Sequence, residues 1–174
     1  VLVEHEGERL VLAEALRDAV LGAGATTVAS FQGNDLRDLF YAPLFPGVGN
    51  LGQPMDLATA YRVVADEFVT LEDGTGIVHI APAYGDLDVG RKYGLPTLFS
   101  VDLAGNVLEA FAPYGFAGMF FKEADPKISR YLKDQGNLFK SGRVSHTYPF
   151  CWRCKTPLLF YAKQSWYIRT TAVK

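Results

Sequence analysis

The sequence predicts an α+β fold with a mainly antiparallel, barrel-like sheet and a few peripheral helices. The 174-residue chain is long enough to bury one sizeable core. Short strand-like segments outnumber the three predicted helices, and the two kinds of element do not alternate as they do in a parallel βαβ sheet. A composition of 49% hydrophobic and 21% charged residues excludes a disordered, collagenous or coiled-coil chain.

The first predicted elements are an extended segment at residues 1–3 and a helix over residues 8–21. Apolar residues recur at roughly helical spacing across 8–21, and Gly22 ends the segment. Residues 26–31 are predicted to form a strand. Residues 41–56 are rich in glycine and proline and indicate a loop-rich insert.

The central elements surround a short apolar run. Residues 61–69 are rich in β-forming types, and residues 76–81 are an apolar run bounded by glycine and proline, which is typical of a buried strand. Residues 86–93 predict a short helix stopped by Gly94 and Pro96.

The last elements include a well-defined helix over residues 124–135, with Asp125 as N-cap and Pro126 at the first helical position. Four further strands are predicted, at residues 97–103, 107–111, 143–148 and 158–168.

Charge is divided unevenly along the chain. Residues 1–121 hold 6 basic and 16 acidic side chains, a net charge of −10, whereas residues 122–174 hold 11 basic and 3 acidic side chains, a net charge of +8. This asymmetry predicts an anionic partner at the basic end, although a solvated basic face would give the same pattern. A domain boundary is predicted near residue 145, between residues 1–145 and a basic segment at 146–174.

Several features bear on location. The chain has no run of eighteen apolar residues, so no membrane span or membrane partner is predicted, and its start lacks the pattern of a signal peptide. Cys151 and Cys154 are the only cysteines, too few for the disulfide framework of a secreted domain. A reducing, cytoplasmic location is therefore predicted.

Cys151 and Cys154 form one C-x-x-C motif, which supplies half of a tetrahedral zinc site. Three interpretations are open: His146 and another group complete the site, the other ligands lie outside this chain, or the pair is redox-active. Thr156 and Pro157 follow the second cysteine and lead into a strand-like run instead of a helix. That order favours a zinc knuckle over a thioredoxin-type site.

The densest cluster of residues suited to chemistry lies between residues 72 and 96. Gly74-Thr75-Gly76 predicts a tight turn that lets a ligand approach backbone amides, although a hairpin needs such glycines too. His79 lies in the apolar run, where a satisfied core histidine is the alternative to a ligand-binding one. Asp86 and Asp88 follow, and each could receive an ammonium group or cap the next helix. The chain contains no G-x-S-x-G, P-loop or H-E-x-x-H motif.

Two long, separated motifs resemble isoleucyl-tRNA synthetase, in the editing domain inserted into the catalytic core of that class I enzyme. The first motif is Glu-Asp-Gly-Thr-Gly-Ile-Val-His-Ile-Ala-Pro-Ala-Tyr-Gly at residues 72–85, followed by Arg-Lys-Tyr-Gly-Leu-Pro at 91–96. The second motif is His-Thr-Tyr-Pro-Phe-Cys-Trp-Arg-Cys-Lys-Thr-Pro at 146–157, followed by Ser-Trp-Tyr at 165–167. The resemblance covers essentially the whole chain. His79 points to the isoleucine enzyme, since the valyl and leucyl relatives usually carry another residue there.

The resemblance implies hydrolysis of valine wrongly esterified to the isoleucine tRNA, and of valyl-adenylate as a further substrate. It implies His79 and Asp86 as the catalytic-site residues, with no protein nucleophile and no cofactor in the editing site. His79 would help to reject isoleucine, and an aspartate would bind the α-ammonium group of valine. The substrate-binding residues that it implies are Gly74, Thr75, Gly76, His79, Ala81, Pro82, Tyr84, Asp86 and Asp88.

The sequence departs from the family in two places. Two residues fewer separate Gly85 from Arg91 in this sequence than in the family. Alignment backward from Arg91 makes Asp86 the ammonium-binding aspartate, whereas counting forward from His79 makes it Asp88. Asp86 is preferred. The family's Trp-Thr-Thr-Thr-Pro-Trp-Thr segment, which forms the other wall of the site, is expected to precede residue 1. Whether this chain hydrolyses the ester without that wall is left open.

The expected partners are the acceptor end of the isoleucine tRNA, the valine moiety and the rest of the synthetase. The resemblance makes residues 1–145 the editing domain and residues 146–174 the segment that returns toward the catalytic core. It also makes Cys151 and Cys154 half of a zinc site whose other cysteines lie outside this chain. The alternatives are a zinc-knuckle RNA-binding module without hydrolytic activity and a structural spacer.

Overall fold

The computed structural model describes residues 1–48, 57–72, 74–81, 84–142, 145 and 147–172. The chain divides into two compact units. The first unit comprises Val1–Pro43, Asp56–Ala81 and Val89–Pro96, and the second comprises Leu44–Met55, Pro82–Asp88 and Thr97–Lys174. The predicted boundary near residue 145 is a different division of the chain and stays a prediction.

The first unit contains a three-stranded antiparallel sheet in the order β2-β1-β3. Its strands are β1 (Leu2–His5), β2 (Glu8–Val11) and β3 (Thr26–Ala29). Glu6 and Gly7, with φ of 51° and 85°, form the two-residue turn between β1 and β2. Positive φ at both central residues is what a type I′ hairpin requires, and it matches the twist of the strands.

The apolar core of this sheet is small. Val1, Val3, Leu12 and Leu21 are buried together, and Val3 is fully buried. Leu21 ends helix α1 (Arg17–Leu21), which follows a single 3₁₀ turn at Glu14–Leu16. Helix α1 therefore packs its last residue against the sheet and closes the core.

The predicted helix over residues 8–21 is wrong in its first half. Residues 8–11 form strand β2, because their backbone groups pair with β1, from His5 opposite Glu8 to Leu2 opposite Val11. The leucine spacing fits a helix, but strand pairing across the hairpin takes the backbone groups that a helix would need. The extended start and the strand within residues 26–31 are confirmed.

The α+β class is confirmed, but the barrel-like form is not: the three-stranded sheet is open. Closure of a barrel needs more strands than these three. The described parts of the other predicted strands (61–69, 76–81, 97–103, 107–111, 143–148 and 158–168) contain no regular strand, and residues 143, 144 and 146 lie outside the described residues. Only isolated bridges occur there, such as Phe40 opposite Arg62 and Val101 opposite Val107.

The second unit is built around an aromatic core. Its buried residues are Val101, Val107, Phe111, Phe116 and Ala124. Phe45 packs its ring against this group, at 5.6 Å from the ring of Phe111 and in a stacked arrangement 5.8 Å from Tyr131. Aromatic contacts of this kind stabilise a core beyond the area that they bury.

Two longer α-helices follow, and further short 3₁₀ helices lie at Gly33–Leu36, Leu57–Thr59, Glu109–Tyr114 and Thr170–Ala172. Helix α2 (Tyr84–Lys92) matches the predicted helix at 86–93, and Gly94 follows it with a positive φ. Helix α3 (Phe121–Asp134) begins before the predicted N-cap at Asp125, because the Phe120 carbonyl already accepts hydrogen bonds from Glu123 and Ala124.

Pro126 therefore lies inside helix α3, where it has no N–H to donate to the carbonyl one turn earlier. Among the described residues, no helix combines the length and apolar character needed to cross a membrane.

Candidate functional site

The glycine turn at residues 74–76 is held by a neighbouring segment of the first unit. The amide of Ala13 donates to the Thr75 carbonyl at 2.8 Å. Gly74 and Gly76 have φ of 69° and 74°, in the left-handed region that favours glycine. A Cβ at Gly76 would lie 2.5 Å from the Cβ of Ala13, whereas one at Gly74 would meet nothing within 4 Å. Packing against Ala13 therefore accounts for the glycine at 76.

The hydroxyl of Thr75 is engaged within the turn. It donates to the Ile77 carbonyl at 3.1 Å and accepts from the Ile77 amide at 3.4 Å. The hydroxyl thus orients the chain as it leaves the turn toward His79. A threonine at this place has a structural function whether or not it also contacts a ligand.

His79 lies on an exposed segment without regular secondary structure, and the predicted buried strand at 76–81 is wrong. Ile77 and Val78 are about half exposed, and the imidazole of His79 is exposed as well. A strand requires a paired neighbour, and residues 77–81 belong to no strand or bridge of the part of the chain that the structure describes. The alternative of a satisfied core histidine is thereby removed.

The side chain of His79 packs against Tyr41. Their ring centroids lie 6.4 Å apart with an interplanar angle of 76°, and Tyr61 meets Tyr41 in a similar edge arrangement at 6.0 Å. Burial, with a smaller contribution from Tyr61, raises the pKa of Tyr41 above its usual range, so its phenol is neutral at physiological pH. Sequence reasoning missed Tyr41, because residue 41 opens a predicted loop far from His79 in the chain.

Asp86 and Asp88 lie on helix α2, with Asp86 in its first turn. Because the helix begins at Tyr84, Asp86 is not the N-cap residue; it stands where the helix dipole favours a carboxylate. Asp86 is half-buried and Asp88 exposed. Their segment belongs to the second unit and His79 to the first, so their distance from His79 stays a prediction.

The remaining predicted substrate contacts flank helix α2. Ala81 is exposed and follows His79 in the irregular segment at 77–81, and Tyr84 is the first residue of the helix. Pro82 lies outside the described residues.

The C-terminal end of helix α2 is tied to residues 62–66. Lys92 Nζ contacts Asp66 Oδ2 at 2.8 Å, and the hydrogen bond from Lys92 lowers the pKa of Asp66. Arg62 donates to the Tyr93 carbonyl at 2.6 Å and to Asp38 Oδ1 at 2.7 Å. The Arg-Lys-Tyr-Gly motif at residues 91–94 thus includes two residues, Lys92 and Tyr93, that anchor the helix.

The cysteine turn, residues 149–158, is a short hairpin. The Cys151 amide donates to the Thr156 carbonyl, and the Lys155 amide donates to the Cys151 carbonyl, both at 2.9 Å. Lys155 has a φ of 60°, and Phe150 is bridged to Pro157. The backbone therefore brings both thiols onto one turn.

Cys154 has the chemistry of a metal ligand. Its sulfur lies 3.1 Å from the Thr156 hydroxyl, and that hydrogen bond is the main cause that lowers the pKa of Cys154 to about 7. The thiolate is the form that binds zinc. Both cysteines are free, so the turn fits two of the four ligands of a zinc site. No group of three or more suitable side chains occurs among the described residues, which do not include His146.

Comparison with known proteins identifies relatives named isoleucine–tRNA ligase. No family model matches the chain. Relatives named isoleucine–tRNA ligase are 46% identical over 95% of the chain in Dehalococcoides mccartyi (strain 195), 44% identical over 100% in Clostridium novyi and 40% identical over 100% in Thermococcus kodakarensis. The chain spans only 16–17% of the length of these curated relatives. By its sequence, the chain is homologous to one segment of the isoleucine–tRNA ligases.

Proposed function

We propose that the chain is the editing segment of an isoleucine–tRNA ligase and hydrolyses valine esterified to the isoleucine tRNA. The observation that carries this proposal is the motif from Gly74 to His79, followed by Asp86, in a chain homologous to these ligases. Valyl-adenylate, which has the same acyl group, belongs to the proposed substrate class.

Such a step is needed because a binding pocket discriminates poorly against a smaller substrate. One missing methylene group is worth only about 1–3 kcal/mol in a hydrophobic site. A ligase that selects isoleucine therefore also accepts valine at a low rate. A second site that admits valine and excludes isoleucine removes the product of that error.

The proposed roles follow from the chemistry of the side chains. The Asp86 carboxylate accepts a charge-assisted hydrogen bond from the α-ammonium group of valine, which fixes the ester carbonyl for attack. The His79 imidazole fills the space that the extra methylene of isoleucine would take. The proposed substrate contacts come from the turn, the residues that follow it and the helix start: Gly74, Thr75, Gly76, His79, Ala81, Pro82, Tyr84, Asp86 and Asp88.

The reaction is hydrolysis of an ester. Water attacks the carbonyl carbon, the bond from that carbon to the ribose oxygen breaks, and the ribose oxygen takes a proton. The products are valine and deacylated tRNA. The proposed contribution of this chain is to orient the ester and to select the amino acid, which lowers the barrier by positioning.

The test is deacylation by the full-length ligase with this segment. Asp86→Ala should slow hydrolysis of valyl-tRNA about a hundredfold, because the ester is no longer oriented. His79→Ala should retain hydrolysis of valyl-tRNA and begin to hydrolyse isoleucyl-tRNA, because the excluding volume is gone. Asp88→Ala is the comparison variant: Asp88 is a proposed substrate contact but not the proposed ammonium-binding one, so this change should slow hydrolysis of valyl-tRNA less than Asp86→Ala does.

The result for Asp88 also decides between the two aspartates. A loss with Asp88→Ala and none with Asp86→Ala would move the ammonium contact to Asp88. Unchanged valine clearance and unchanged isoleucine rejection in all three variants would refute the proposed site.

The proposed partners are the acceptor end of the tRNA and the rest of the ligase. The net charge of +8 on residues 122–174 supports contact with phosphates, which should weaken as salt is raised. We also propose that Cys151 and Cys154 supply two zinc ligands and that the others come from outside this chain. Zinc there would stabilise the turn.

A second candidate is a zinc-knuckle RNA-binding module, favoured by the hydrogen-bonded cysteine turn. It predicts stoichiometric zinc in the 174-residue chain itself and salt-sensitive RNA affinity that Cys151→Ser abolishes. The editing proposal predicts weak zinc binding by the chain alone, because it has only two of the ligands. Zinc analysis and RNA titration of the chain separate the two.

A further inference from the structure

We propose that Tyr41 is a specificity-positioning residue: its ring holds the His79 imidazole in the orientation that excludes the larger amino acid. The inference rests on the proposed function, since it concerns the residue that selects valine. Its starting point is the edge-to-face contact between the two rings, 6.4 Å between centroids at 76°.

His79 needs such a support because its own segment leaves the side chain exposed. Residues 77–81 have no regular secondary structure, and Ile77 and Val78, close to His79 in the chain, are about half exposed. An exposed side chain moves among staggered rotamers. Exclusion of one methylene group by an imidazole works only if the ring stays in one rotamer. A contact on the ring face or edge supplies that restraint.

Tyr41 is itself well held. Its amide donates to the Tyr61 carbonyl at 2.9 Å, and the Tyr61 ring packs against it at 6.0 Å. Next to it, the Asp38 amide donates to the Val63 carbonyl at 2.9 Å and the Val63 amide donates to the Leu39 carbonyl at 2.8 Å. These hydrogen bonds form a short ladder between residues 38–41 and 61–63, which we call the tyrosine ladder.

Arg62 secures the tyrosine ladder. It lies opposite Phe40, and its guanidinium bonds to Asp38 Oδ1 at 2.7 Å and to the Tyr93 carbonyl at 2.6 Å. The guanidinium Nε is buried without a hydrogen-bond partner. Charge-assisted hydrogen bonds on the other two nitrogens therefore have to offset that desolvation. The tyrosine ladder that positions Tyr41 is thus held by hydrogen bonds between its own two segments and by one to Tyr93, the residue after helix α2.

The ring of Tyr41, and not its hydroxyl, is the part that acts. The contact with His79 is between rings, and partial burial raises the pKa of the phenol, so the side chain stays neutral. Phenylalanine should therefore replace tyrosine without loss. Leucine, which lacks the ring, should not.

The first measurement is deacylation of valyl-tRNA and isoleucyl-tRNA by the full-length ligase. Tyr41→Leu should reduce the ratio of valine to isoleucine hydrolysis about tenfold, with the valine rate itself nearly unchanged. Tyr41→Phe is the matched control and should keep the ratio. An equal fall in both rates would mean a general structural role and would overturn the inference.

The second measurement detects the contact directly. The chain has three histidines, and the spectrum of His79→Gln identifies the His79 imidazole signal by NMR. Tyr41→Leu should shift that signal through loss of the aromatic ring current, and Tyr41→Phe should leave it near its original position. If the His79 signal does not shift in a folded Tyr41→Leu variant, the inference is overturned.

The two proposals fail in distinguishable ways. If His79→Ala removes isoleucine rejection while Tyr41→Leu leaves the ratio unchanged, the editing function stands and the role of Tyr41 is refuted. If His79→Ala itself leaves rejection unchanged, the proposed selection by His79 is refuted and the role of Tyr41 with it.

Discussion

The glycine turn and the cysteine turn are both short, motif-bearing reversals, but they use their residues differently. At the glycine turn, Gly76 packs on Ala13 and the Thr75 hydroxyl bonds to Ile77. At the cysteine turn, the backbone closes the hairpin by itself, and the exposed sulfur of Cys154 has a hydroxyl beside it. The residues of the glycine turn mainly stabilise the fold, whereas the cysteine turn leaves the sulfur of Cys154 exposed.

The difference shows that a motif residue and a chemically active residue are not the same thing. Within residues 74–79, only His79 presents a functional group that the turn does not use, and it faces Tyr41. Within residues 149–158, neither thiol is part of a disulfide. Substitutions in the first turn should therefore act mainly on stability, and those in the second on reactivity.

The largest effect is expected at Gly76. Gly76→Ala should destabilise the chain by about 2–5 kcal/mol, because a Cβ would collide with Ala13 and because alanine is strained at positive φ. Urea unfolding of the 174-residue chain measures this change as a lower midpoint with an unchanged slope.

Gly74→Ala is the matched control for that experiment. Gly74 has a similar φ of 69°, but an added Cβ meets nothing within 4 Å. The Gly74→Ala variant should therefore be less stable by only about 1–2 kcal/mol, the cost of positive φ for alanine. Equal losses at the two positions would show that packing against Ala13 is not what requires Gly76.

The elements that sequence reasoning predicted well are those encoded by neighbouring residues. Helix α2 is predicted from a helical run stopped by Gly94, and strand β3 from the β-forming residues at 26–31. The helix predicted over 8–21 is wrong in its first half because the leucine spacing does not reveal the turn at Glu6 and Gly7, after which strand β2 begins. The predicted barrel failed because apolar runs do not reveal which strands pair.

The candidate site could be predicted only in part for a related reason. His79 and Asp86 are recognisable from motifs along the chain, but the contact of His79 with Tyr41 joins residues far apart in sequence. The same holds for Arg62, whose partners Asp38 and Tyr93 lie on both sides of it in the chain. No local pattern encodes a ring contact or a guanidinium bridge across such separations.

A smaller effect is expected at Thr156 and concerns reactivity. The pKa of Cys154 is lowered to about 7, so its thiolate fraction should rise steeply through neutral pH. Thr156→Val removes the hydroxyl and should shift the rise in alkylation by iodoacetamide to higher pH, with a severalfold slower rate at pH 7. Peptide mass spectrometry of the metal-free chain resolves Cys154 from Cys151.

Thr156→Ser is the control, since serine keeps the hydroxyl that lies 3.1 Å from the sulfur. In the Thr156→Ser variant, the alkylation rate of Cys154 should still rise near pH 7, as in the unchanged chain. If valine and serine behaved alike, the hydroxyl would not be what favours the thiolate, and the contrast between the two turns would lose its chemical basis.

The smallest effect is expected at Lys155, and it bears on how the cysteine turn is held. Lys155 adopts a φ of 60°, which costs a residue with a Cβ about 1–2 kcal/mol and glycine almost nothing. Lys155→Gly should therefore strengthen the turn by about 0.5–1 kcal/mol, after the greater freedom of glycine in the unfolded chain is counted. Hydrogen exchange of the residue 155 amide, which donates to the Cys151 carbonyl, should slow about threefold.

Lys155→Ala keeps a Cβ and should leave the exchange rate unchanged, which separates backbone strain from loss of the lysine charge. Slower exchange in the alanine variant as well would mean that the charge, and not the left-handed backbone, limits the stability of the turn.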